Sequence, residues 1–465
     1  MDPRRNCRAA WRSRRAAVAV GVALALLTTG CSATDAGKEQ ELAGGLFDDS
    51  TVHDIDVTFD QTDYDAMVAA YQASGEKEWI SGTVTIDGTT FENVGLRLKG
   101  NSSLSGLGGG LSGRAGVVPT RADDGDAAAE EPESLPWLVR LDKYVDGQAH
   151  DGLSSFVIRS NSTATSLNEA VALELVGLAG LATQDAAASR LSVNGSEGTL
   201  RLIVESPDDA WEEDNFASDG VLYKAEAGGD YSYRGDDPDS YVEVFDQETN
   251  TDSEDLTPLI EFLDFVNNSD DATFAATLDQ HLDTDAFARY LAVQELIDNF
   301  DDIDGPGNNS YLRYDAENEQ FTVVTWDLNL AFGAMGGMPG AAGLPDGMAL
   351  PEGMEPREGM EPPEGMELPE GMEPPEGMDL PEGMEPPAGS PGGRSNVLVE
   401  RFMANETFNA AYETAKGELT QQLYASGAAT EILDRWTTVL KEHAGDVVDA
   451  ATVDEEASVI AEQIT

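Results

Sequence analysis

The sequence predicts an α+β fold with two lobes, in which an N-terminal strand-rich lobe precedes a C-terminal helical lobe. Two observations lead to this prediction. Between residues 52 and 205, short segments alternate apolar and polar side chains and are separated by turn residues, as strands do. From residue 255 onward, apolar residues recur at helical spacing instead. A run of strands followed by a run of helices is an order typical of α+β proteins.

The same periodicities predict the individual elements in order. Thr257 can cap a helix, and Pro258 suits its first position. Residues 101–134 lose all periodicity and indicate a loop insertion. The predicted strands are 53–59, two or three within 79–99, 136–143, 154–159, 188–193 and 199–205. The predicted helices are 60–73, 167–178, one that begins near 257, 284–297, and an amphipathic helical region over 397–465.

The N-terminus has the pattern of an export signal. A basic region is followed by the apolar run 16–27, which is too short to span a bilayer, and then by Leu27-Thr28-Thr29-Gly30-Cys31, which is similar to a lipobox. We therefore expect residues 1–30 to be a lipoprotein signal peptide, Cys31 to be lipidated and residues 31–50 to form a tether. The folded body would then lie outside the cytoplasmic membrane, attached to it through the N-terminal lipid only. Ordinary cleavage nearby, with release, is the alternative.

Composition excludes several classes of partner and site. The formal net charge of −61 over 465 residues disfavours nucleic acid and bare anionic lipid as partners. The only cysteine besides Cys31 is Cys7, in the basic region of the predicted signal. The body after Cys31 thus has no cysteine for a disulfide, a thiolate metal site or a nucleophile, and its stability must come from an apolar core.

A low-complexity segment interrupts the helical half of the chain. Residues 334–394 contain a hexapeptide repeat in which Pro and Gly exclude helix and sheet, which predicts a disordered or polyproline-like loop. Evenly spaced thioethers could bind Cu(I), and a loop extended by charge repulsion is the alternative. The methionines of the repeat are Met348, Met354, Met360, Met366, Met372, Met378 and Met384.

The densest candidate for chemistry lies just before this repeat. Asp304 and Asn309 are five residues apart in a Gly/Pro loop that leaves a helix, and Asp327 ends an apolar strand after a hairpin. Metal-assisted phosphoryl transfer uses such a set, namely one carboxylate for the attacking hydroxyl and an amide with a second carboxylate for Mg²⁺. Protein kinases show the same order of residues. A simple turn is the alternative, whereas a calcium loop is excluded because its first and twelfth positions would be Phe300 and Tyr311.

Several motifs together resemble the CotH family of spore-coat-type atypical kinases, over roughly residues 50 to 440. The motifs are Leu96-Arg97-Leu98-Lys99-Gly100-Asn101-Ser102-Ser103, Leu202-Ile203-Val204-Glu205, Leu222-Tyr223-Lys224, Gly307-Asn308-Asn309 and Trp326-Asp327-Leu328-Asn329-Leu330-Ala331-Phe332-Gly333. The resemblance implies an atypical protein-kinase-like fold over residues 51–333 and 395–465. It also implies binding of ATP with Mg²⁺ or Mn²⁺ and phosphorylation of Ser or Thr in protein substrates.

The resemblance also implies roles for individual residues. Asp304 would be the catalytic aspartate, and Asn309 and Asp327 would be metal ligands. Glu169, at the start of the predicted helix 167–178, would supply the ion-pair glutamate. One departure stands out, because the family commonly has an acid two residues after Asp327, where this chain has Asn329.

The basic residue that contacts the nucleotide is left open. Arg140, Lys143 and Lys99 are candidates, although Arg does not fully replace a point-charge Lys on phosphates. Each could equally be a surface charge on a strand. Lys224 could face a phosphate or pair with Glu226. Asp301 and Asp302 are expected to be solvated loop charges, and the histidines His53, His150, His281 and His443 share no spacing that supports a zinc site or a catalytic triad.

Two functions remain in competition. The first is a surface-anchored kinase that acts on exported proteins, and the second is a catalytically inactive kinase-like lipoprotein that binds a cation or a protein partner. Retention of Asp304, Asn309 and Asp327 favours the first function. Asn329 and the open choice of nucleotide cation favour the second.

Deletion of residues 340–390 is expected to leave the fold intact, because the recurring Pro and Gly of the repeat exclude the helices and strands that could pack on the body. Thermal and urea unfolding of the deletion variant should give one cooperative transition at the midpoint of the parent. Loss of cooperative unfolding would show that the repeat packs on the folded body.

Overall fold

A computed structural model describes residues 45–100, 102–107, 131–226, 228–299, 301–304, 309–334 and 396–464. The predicted signal peptide, Cys31, most of the 101–134 insertion and the Met repeat lie outside the described residues. The folded body begins before residue 51, because Leu46 is fully buried in the core of the first sheet. The expected tether is therefore shorter than 31–50.

Seven strands of the N-terminal half close into a barrel, in the order β1-β2-β3-β4-β5-β7-β6. The barrel closes where β1 and β6 pair in parallel, whereas its other neighbouring strands are antiparallel. Alternate side chains fill its interior, as the periodicity predicts. The strands are β1 (Val52–Phe59), β2 (Ile80–Ile86), β3 (Thr89–Leu98), β4 (Trp137–Arg140), β5 (Ser155–Ile158), β6 (Ala186–Val193) and β7 (Thr199–Glu205).

The predicted strand 136–143 is shorter than expected. Strand β4 ends at Arg140, and the chain turns immediately, since the Lys143 N–H donates to the Arg140 carbonyl oxygen over 3.4 Å. The side chain of Gln148 stabilises this turn by donating to the Leu141 carbonyl oxygen over 2.8 Å. The alternation of apolar and polar residues in the sequence thus extends beyond Arg140, where the strand ends in the structure.

A four-stranded antiparallel sheet lies against the barrel, with the order β11-β10-β8-β9. An apolar cluster joins the two sheets, with Leu138 and Val157 from the barrel and Leu222 and Val324 from the second sheet. This cluster fixes the junction at which the charged residues described below meet. The strands are β8 (Gly220–Ala225), β9 (Phe245–Gln247), β10 (Ser310–Asp315) and β11 (Gln320–Thr325).

Helices make up most of the described chain after β9, so the mixed content is consistent with the predicted α+β fold. The helices are α1 (Gln61–Ser74), α2 (Leu167–Leu178), α3 (Asp209–Asn215), α4 (Thr257–Asn268), α5 (Asp271–Thr277), α6 (Thr284–Leu296), α7 (Val397–Ala404), α8 (Glu406–Leu419), α9 (Ala428–His443) and α10 (Ala450–Gln463). Helix α2 has the predicted bounds and is almost entirely buried. Within the described ranges, no helix has both the length and the apolar character that a membrane crossing requires.

The start of α4 differs from the prediction. Thr257 is the first residue of the helix rather than its cap, and its backbone N–H donates to Asp255 Oδ1 over 2.9 Å. Asp255 accepts this hydrogen bond more readily than a hydroxyl would, because its carboxylate is charged. Pro258 lies in the first turn, as predicted.

Candidate functional site

A buried arginine joins two acidic side chains where the barrel meets the four-stranded sheet. Arg159 directly follows β5, and its Nε donates to Glu169 Oε2 over 3.1 Å, while Nη2 lies 3.0 Å from Oε1. Nη2 also donates to Asp327 Oδ1. Glu169 lies in the first turn of α2, and Asp327 follows β11. Arg159, Glu169 and Asp327, here called the ion-pair centre, thus tie α2 to the end of β11.

The charges of the ion-pair centre depend on one another. Burial alone would lower the pKa of the Arg159 guanidinium, but the charges and hydrogen bonds of Asp327 and Glu169 outweigh burial and raise it. Burial raises the pKa of Glu169, and the Arg159 charge opposes this rise. The Glu169 side chain is 3% exposed and that of Asp327 is 25% exposed. Asp327 is therefore the acid of the centre that a ligand from solvent can reach.

The backbone at Asp327 is unusual and is held by its neighbours. Asp327 has φ 59°, a left-handed conformation that Asp tolerates better than most residues. Beyond it, Asn168 Nδ2 donates to the Asn329 carbonyl oxygen over 2.6 Å. The Phe332 N–H donates to the Ile297 carbonyl oxygen over 2.6 Å. The segment after Asp327 is therefore fixed both to α2 and to the end of α6.

The loop after α6 brings Asp301 and Asn309 together beside Asp327. Asn309 Nδ2 donates to the carbonyl oxygen and to Oδ2 of Asp301, over 2.8 Å in each case. Burial raises the pKa of Asp301 to about 6, the charge of Asp327 adds to this rise, and the hydrogen bond from Asn309 opposes it. Asp304 is exposed. Its partial burial raises its pKa, and the charge of Glu400, in α7, adds to this rise. The structure thus groups Asp301, rather than Asp304, with Asn309 and Asp327.

The expectation that Asp301 and Asp302 are solvated loop charges is wrong. Asp302 is 7% exposed, and its Oδ1 accepts a hydrogen bond from the Asp304 N–H over 3.0 Å. Asp301 is half-buried against Asn309. Both carboxylates bond groups of their own loop, which removes them from water.

Four basic side chains form a second group beside Trp326. This group, here called the basic cluster, consists of Lys77, Arg97, Lys99 and Lys224. Three acids lie among these cations, namely Glu226, Asp246 and Glu248. Lys99 Nζ lies 4.0 Å from Glu248 Oε1, and Lys224 donates to Glu226. Trp326 contacts both this cluster and the ion-pair centre, with Lys99 Nζ 5.5 Å and Arg159 Cζ 5.7 Å from the ring centre.

Burial, and to a smaller extent repulsion between cations, lowers the pKa values of Lys77, Arg97 and Lys99. Burial lowers the pKa of Lys77 to about 8, and the charge of Lys224 adds to this fall. Burial also lowers the pKa of Lys99, which the charge of Glu248 partly opposes. Nε of Arg97 is buried without a hydrogen-bond partner in the part of the chain that the structure describes. A bound anion would stabilise these cations and supply the missing acceptor, so the cluster suits a phosphate group.

Lys143 and Arg140 are exposed and lie at the edge of the basic cluster, since Lys143 and Arg97 contact the same Trp79 ring and the charge of Arg140 acts on Arg97. The Arg140 side chain is 51% exposed, and Lys143 Nζ lies 4.8 Å from the centre of the Trp79 ring at the surface. Among the described residues, neither forms an ion pair with Glu169. The partner of Glu169 is instead Arg159, which the sequence analysis did not consider.

Arg159 carried a signal in the sequence. It ends the predicted strand 154–159, and all four residues of β5 before it are buried. A charge that directly follows a fully buried strand must be paired, because an unpaired buried charge is strongly unfavourable. Asn168 carried no comparable signal, since the backbone carbonyl that it bonds is 161 residues away.

The side chains of Asp327 and Asn309 offer the oxygen ligands that Mg²⁺ prefers. Arg159 contacts Oδ1 of Asp327, which leaves Oδ2 for a cation, and the Nδ2 of Asn309 bonds Asp301, which leaves Oδ1. Among the described residues, no three His, Cys, Asp or Glu side chains surround a common metal position. With only two oxygen ligands from the protein, a Mg²⁺ ion would complete its coordination shell with phosphate oxygens and water. The arrangement is not a closed cage of protein ligands.

Replacement of Arg159 by Met is expected to reduce the free energy of unfolding by about 3 to 5 kcal/mol, because it leaves Glu169 buried without its cation. Urea unfolding followed by circular dichroism measures this change. Arg140→Met is the matched control, since the exposed Arg140 pair should contribute at most about 1 kcal/mol. Equal losses in the two variants would show that the ion-pair centre is not a special constraint.

Comparison with known protein families agrees with the motifs. A family model described as CotH kinase protein matches residues 98–457, which is most of the chain. The match begins at the end of β3 and ends within α10, so it includes the ion-pair centre and the loop that carries Asp301. A search of curated proteins found no match. The resemblance stated from the sequence is thereby confirmed, and the chain belongs to the CotH kinase family.

Proposed function

We propose that this chain transfers the γ-phosphoryl group of ATP to serine or threonine hydroxyls of exported proteins. The observation that best supports this function is that the basic cluster and the ion-pair centre both reach one ring, that of Trp326, through Lys99 and Arg159. The first group suits phosphates, and the second holds an aspartate at the end of a strand. Membership of the CotH kinase family supports kinase-like activity in general.

In this proposal the barrel and the four-stranded sheet serve as two sides of a nucleotide site, as the two lobes of a kinase do. The barrel supplies Arg97, Lys99 and Arg159, and the sheet supplies Lys224. Lys99 and Lys224 would bind phosphate oxygens directly, as compact charges on flexible stems can. Arg159 would instead hold Glu169 and Asp327 in place, since both acids already occupy its guanidinium.

Asp327 and Asn309 would hold Mg²⁺ or Mn²⁺. When bound there, the metal would neutralise charge on the phosphate oxygens and help to orient them. The protein prepares this position without the metal, because Arg159 fixes one carboxylate oxygen of Asp327 and Asn168 fixes the backbone that follows it. Asn329, where the family commonly has an acid, contributes its backbone carbonyl to the same arrangement.

The acceptor hydroxyl requires a carboxylate within hydrogen-bond reach. We assign this role to Asp301, which lies against Asn309 and close enough to Asp327 for their charges to interact. Asp304, which the five-residue spacing favoured, is exposed and interacts with the charge of Glu400 instead. Asp304 would therefore face the protein substrate rather than the transferred group.

We also propose that the body works outside the cytoplasmic membrane, attached through a lipid on Cys31. The support is the N-terminal sequence pattern, with its basic region, apolar run and lipobox-like site. The very acidic composition fits an exported protein that meets basic protein surfaces rather than nucleic acid.

Autophosphorylation of residues 32–465 with labelled ATP and Mg²⁺ tests the assignment of roles. Asp327→Asn and Asp301→Asn should each lower the rate on the order of 10² to 10⁴-fold, because each removes a carboxylate that acts in the reaction. Asp304→Asn removes the same charge from the same loop and should lower the rate by less than about tenfold.

Other outcomes are equally informative. A large loss in Asp304→Asn with none in Asp301→Asn would return the catalytic role to Asp304. Absence of label in the parent, together with a rise in Tm on addition of Mg²⁺ and ATP, would identify an inactive kinase-like module that still binds nucleotide.

Nucleotide binding should weaken as pH rises through the pKa of Lys77, which is about 8 in the free protein. The ammonium form is present below this pH and is lost above it, so the Kd for ATP should increase by about tenfold between pH 7.5 and pH 9.5. The charged groups that face Lys77 are Lys224, Glu226, Lys99 and Arg97.

Isothermal titration calorimetry measures this dependence. Lys77→Gln should bind ATP more weakly at pH 7.5 and lose most of the pH dependence. Lys416→Gln removes the same charge from a pair with Glu295 on another face and should behave as the parent. A parent Kd that is constant over this range would remove Lys77 from the nucleotide site.

A further inference from the structure

The last helix of the chain reaches back to the start of α2. The carboxylate of Glu456, in α10, accepts hydrogen bonds from the backbone N–H groups of Ala164 over 2.8 Å and of Thr165 over 3.0 Å. It also accepts one from the Thr165 hydroxyl. Thr165 is 5% exposed and Ala164 is exposed, so these contacts lie at the edge of the buried core. One side chain thus holds two consecutive residues that lead directly into α2.

Helix α2 depends on this contact because its own cap is incomplete. Ser166, at the N-cap position, has φ 53° and makes no capping hydrogen bond through its side chain. The positive end of a helix dipole is stabilised by a nearby negative charge. The Glu456 carboxylate supplies that charge from another element, at Thr165, four residues before Glu169 of the ion-pair centre.

The same helix also contacts the segment that follows Asp327. Gln463 Nε2, at the end of α10, donates to the Phe332 carbonyl oxygen over 3.0 Å. Phe332 is buried and has φ 58°, a left-handed conformation that a bulky residue adopts only where its surroundings impose it. Helix α10 therefore touches both chain segments that meet at Arg159.

Buried apolar residues dock α10 in this position. Val453 is fully buried and Ile460 is 3% exposed, and both belong to the main apolar core together with residues of α2. Glu456 lies between them in the helix. The apolar contacts on either side therefore fix the position of its carboxylate along the helix axis. Helix α9 adds a further tie, because Trp436 Nε1 donates to Glu174 of α2 over 2.5 Å.

We propose that α10 is a positioning element of the site, in which Glu456 sets the start of α2 and Gln463 sets the segment after Asp327. This inference rests on the proposed function, because it concerns the placement of Glu169 and Asp327 for phosphoryl transfer. Displacement of α10 from its docked position would move Glu169 and Asp327 apart without removing either acid. The C-terminal helix thereby governs whether the site is assembled, although it carries no group that contacts the reactants.

Glu456→Gln tests this proposal, with Glu455→Gln as the matched control on the next, exposed position of the same helix. Gln has one acceptor oxygen where Glu has two, so one of the backbone N–H groups loses its partner. Hydrogen exchange followed by mass spectrometry, without nucleotide, should show faster exchange in residues 162–172 and 328–334 of Glu456→Gln. Exchange in β2 and β3 should match the parent.

Kinetics provides the second readout. In Glu456→Gln, kcat should fall on the order of 10 to 100-fold through misplacement of the reacting groups, with a smaller change in KM for ATP. Thr165→Val removes both a donor to Glu456 and the acceptor of the Leu167 N–H and should act in the same direction, whereas Thr165→Ser keeps the hydroxyl and should retain the parent rate.

The two proposals fail separately. Unchanged exchange in residues 162–172 of Glu456→Gln would overturn the positioning role, whether or not the parent is active. Exchange that rises equally over the whole chain would also overturn it, since that result describes general destabilisation. A local rise in exchange in Glu456→Gln, together with a parent that transfers no phosphoryl group, would uphold the positioning role and reject the proposed function.

Discussion

Burial of the Arg159 charge constrains the position of the elements around it. Removal of a guanidinium from water is strongly unfavourable unless carboxylates pair with it and accept its hydrogen bonds. Glu169 and Asp327 together meet this requirement, and they come from α2 and from the end of β11. Neither acid can withdraw without leaving a buried charge unpaired. The barrel, the helix and the four-stranded sheet are therefore locked together at one point.

Helix α2 links this constraint to the rest of the molecule. Successive positions face different neighbours, because Asn168 bonds the segment after Asp327, Glu169 bonds Arg159, and Glu174 bonds Arg435 and Trp436 of α9. A helix that is buried on nearly all sides has few positions open to it. Its placement is thus decided by long-range contacts, and the last helix contacts a helix start that lies 292 residues earlier in the chain.

The sequence predicted what depends on local pattern and missed what depends on distant pairing. Alternation located the strands, and helical spacing gave α2 its correct bounds. Closure of the barrel through a parallel pair of β1 and β6 was not predicted, because a strand has the same period whichever neighbour it pairs with. Arg159 was missed because Asp327 is 168 residues away. The five-residue spacing that kinases show favours Asp304, whereas the contact of Asp301 with Asn309 depends on how the loop folds and has no such spacing signal.

The charge of the chain explains why the basic cluster is informative. The sequence has 27 Lys and Arg residues against 88 Asp and Glu residues, so cations are scarce and four of them converge beside Trp326. Burial, together with their mutual repulsion, lowers the pKa values of Lys77 and Lys99, and Glu226 and Glu248 offset this effect only in part. The field of the whole protein meanwhile repels free polyphosphate. A nucleotide whose charge is reduced by a divalent cation meets less of this repulsion, so the overall acidity itself favours the metal complex as ligand.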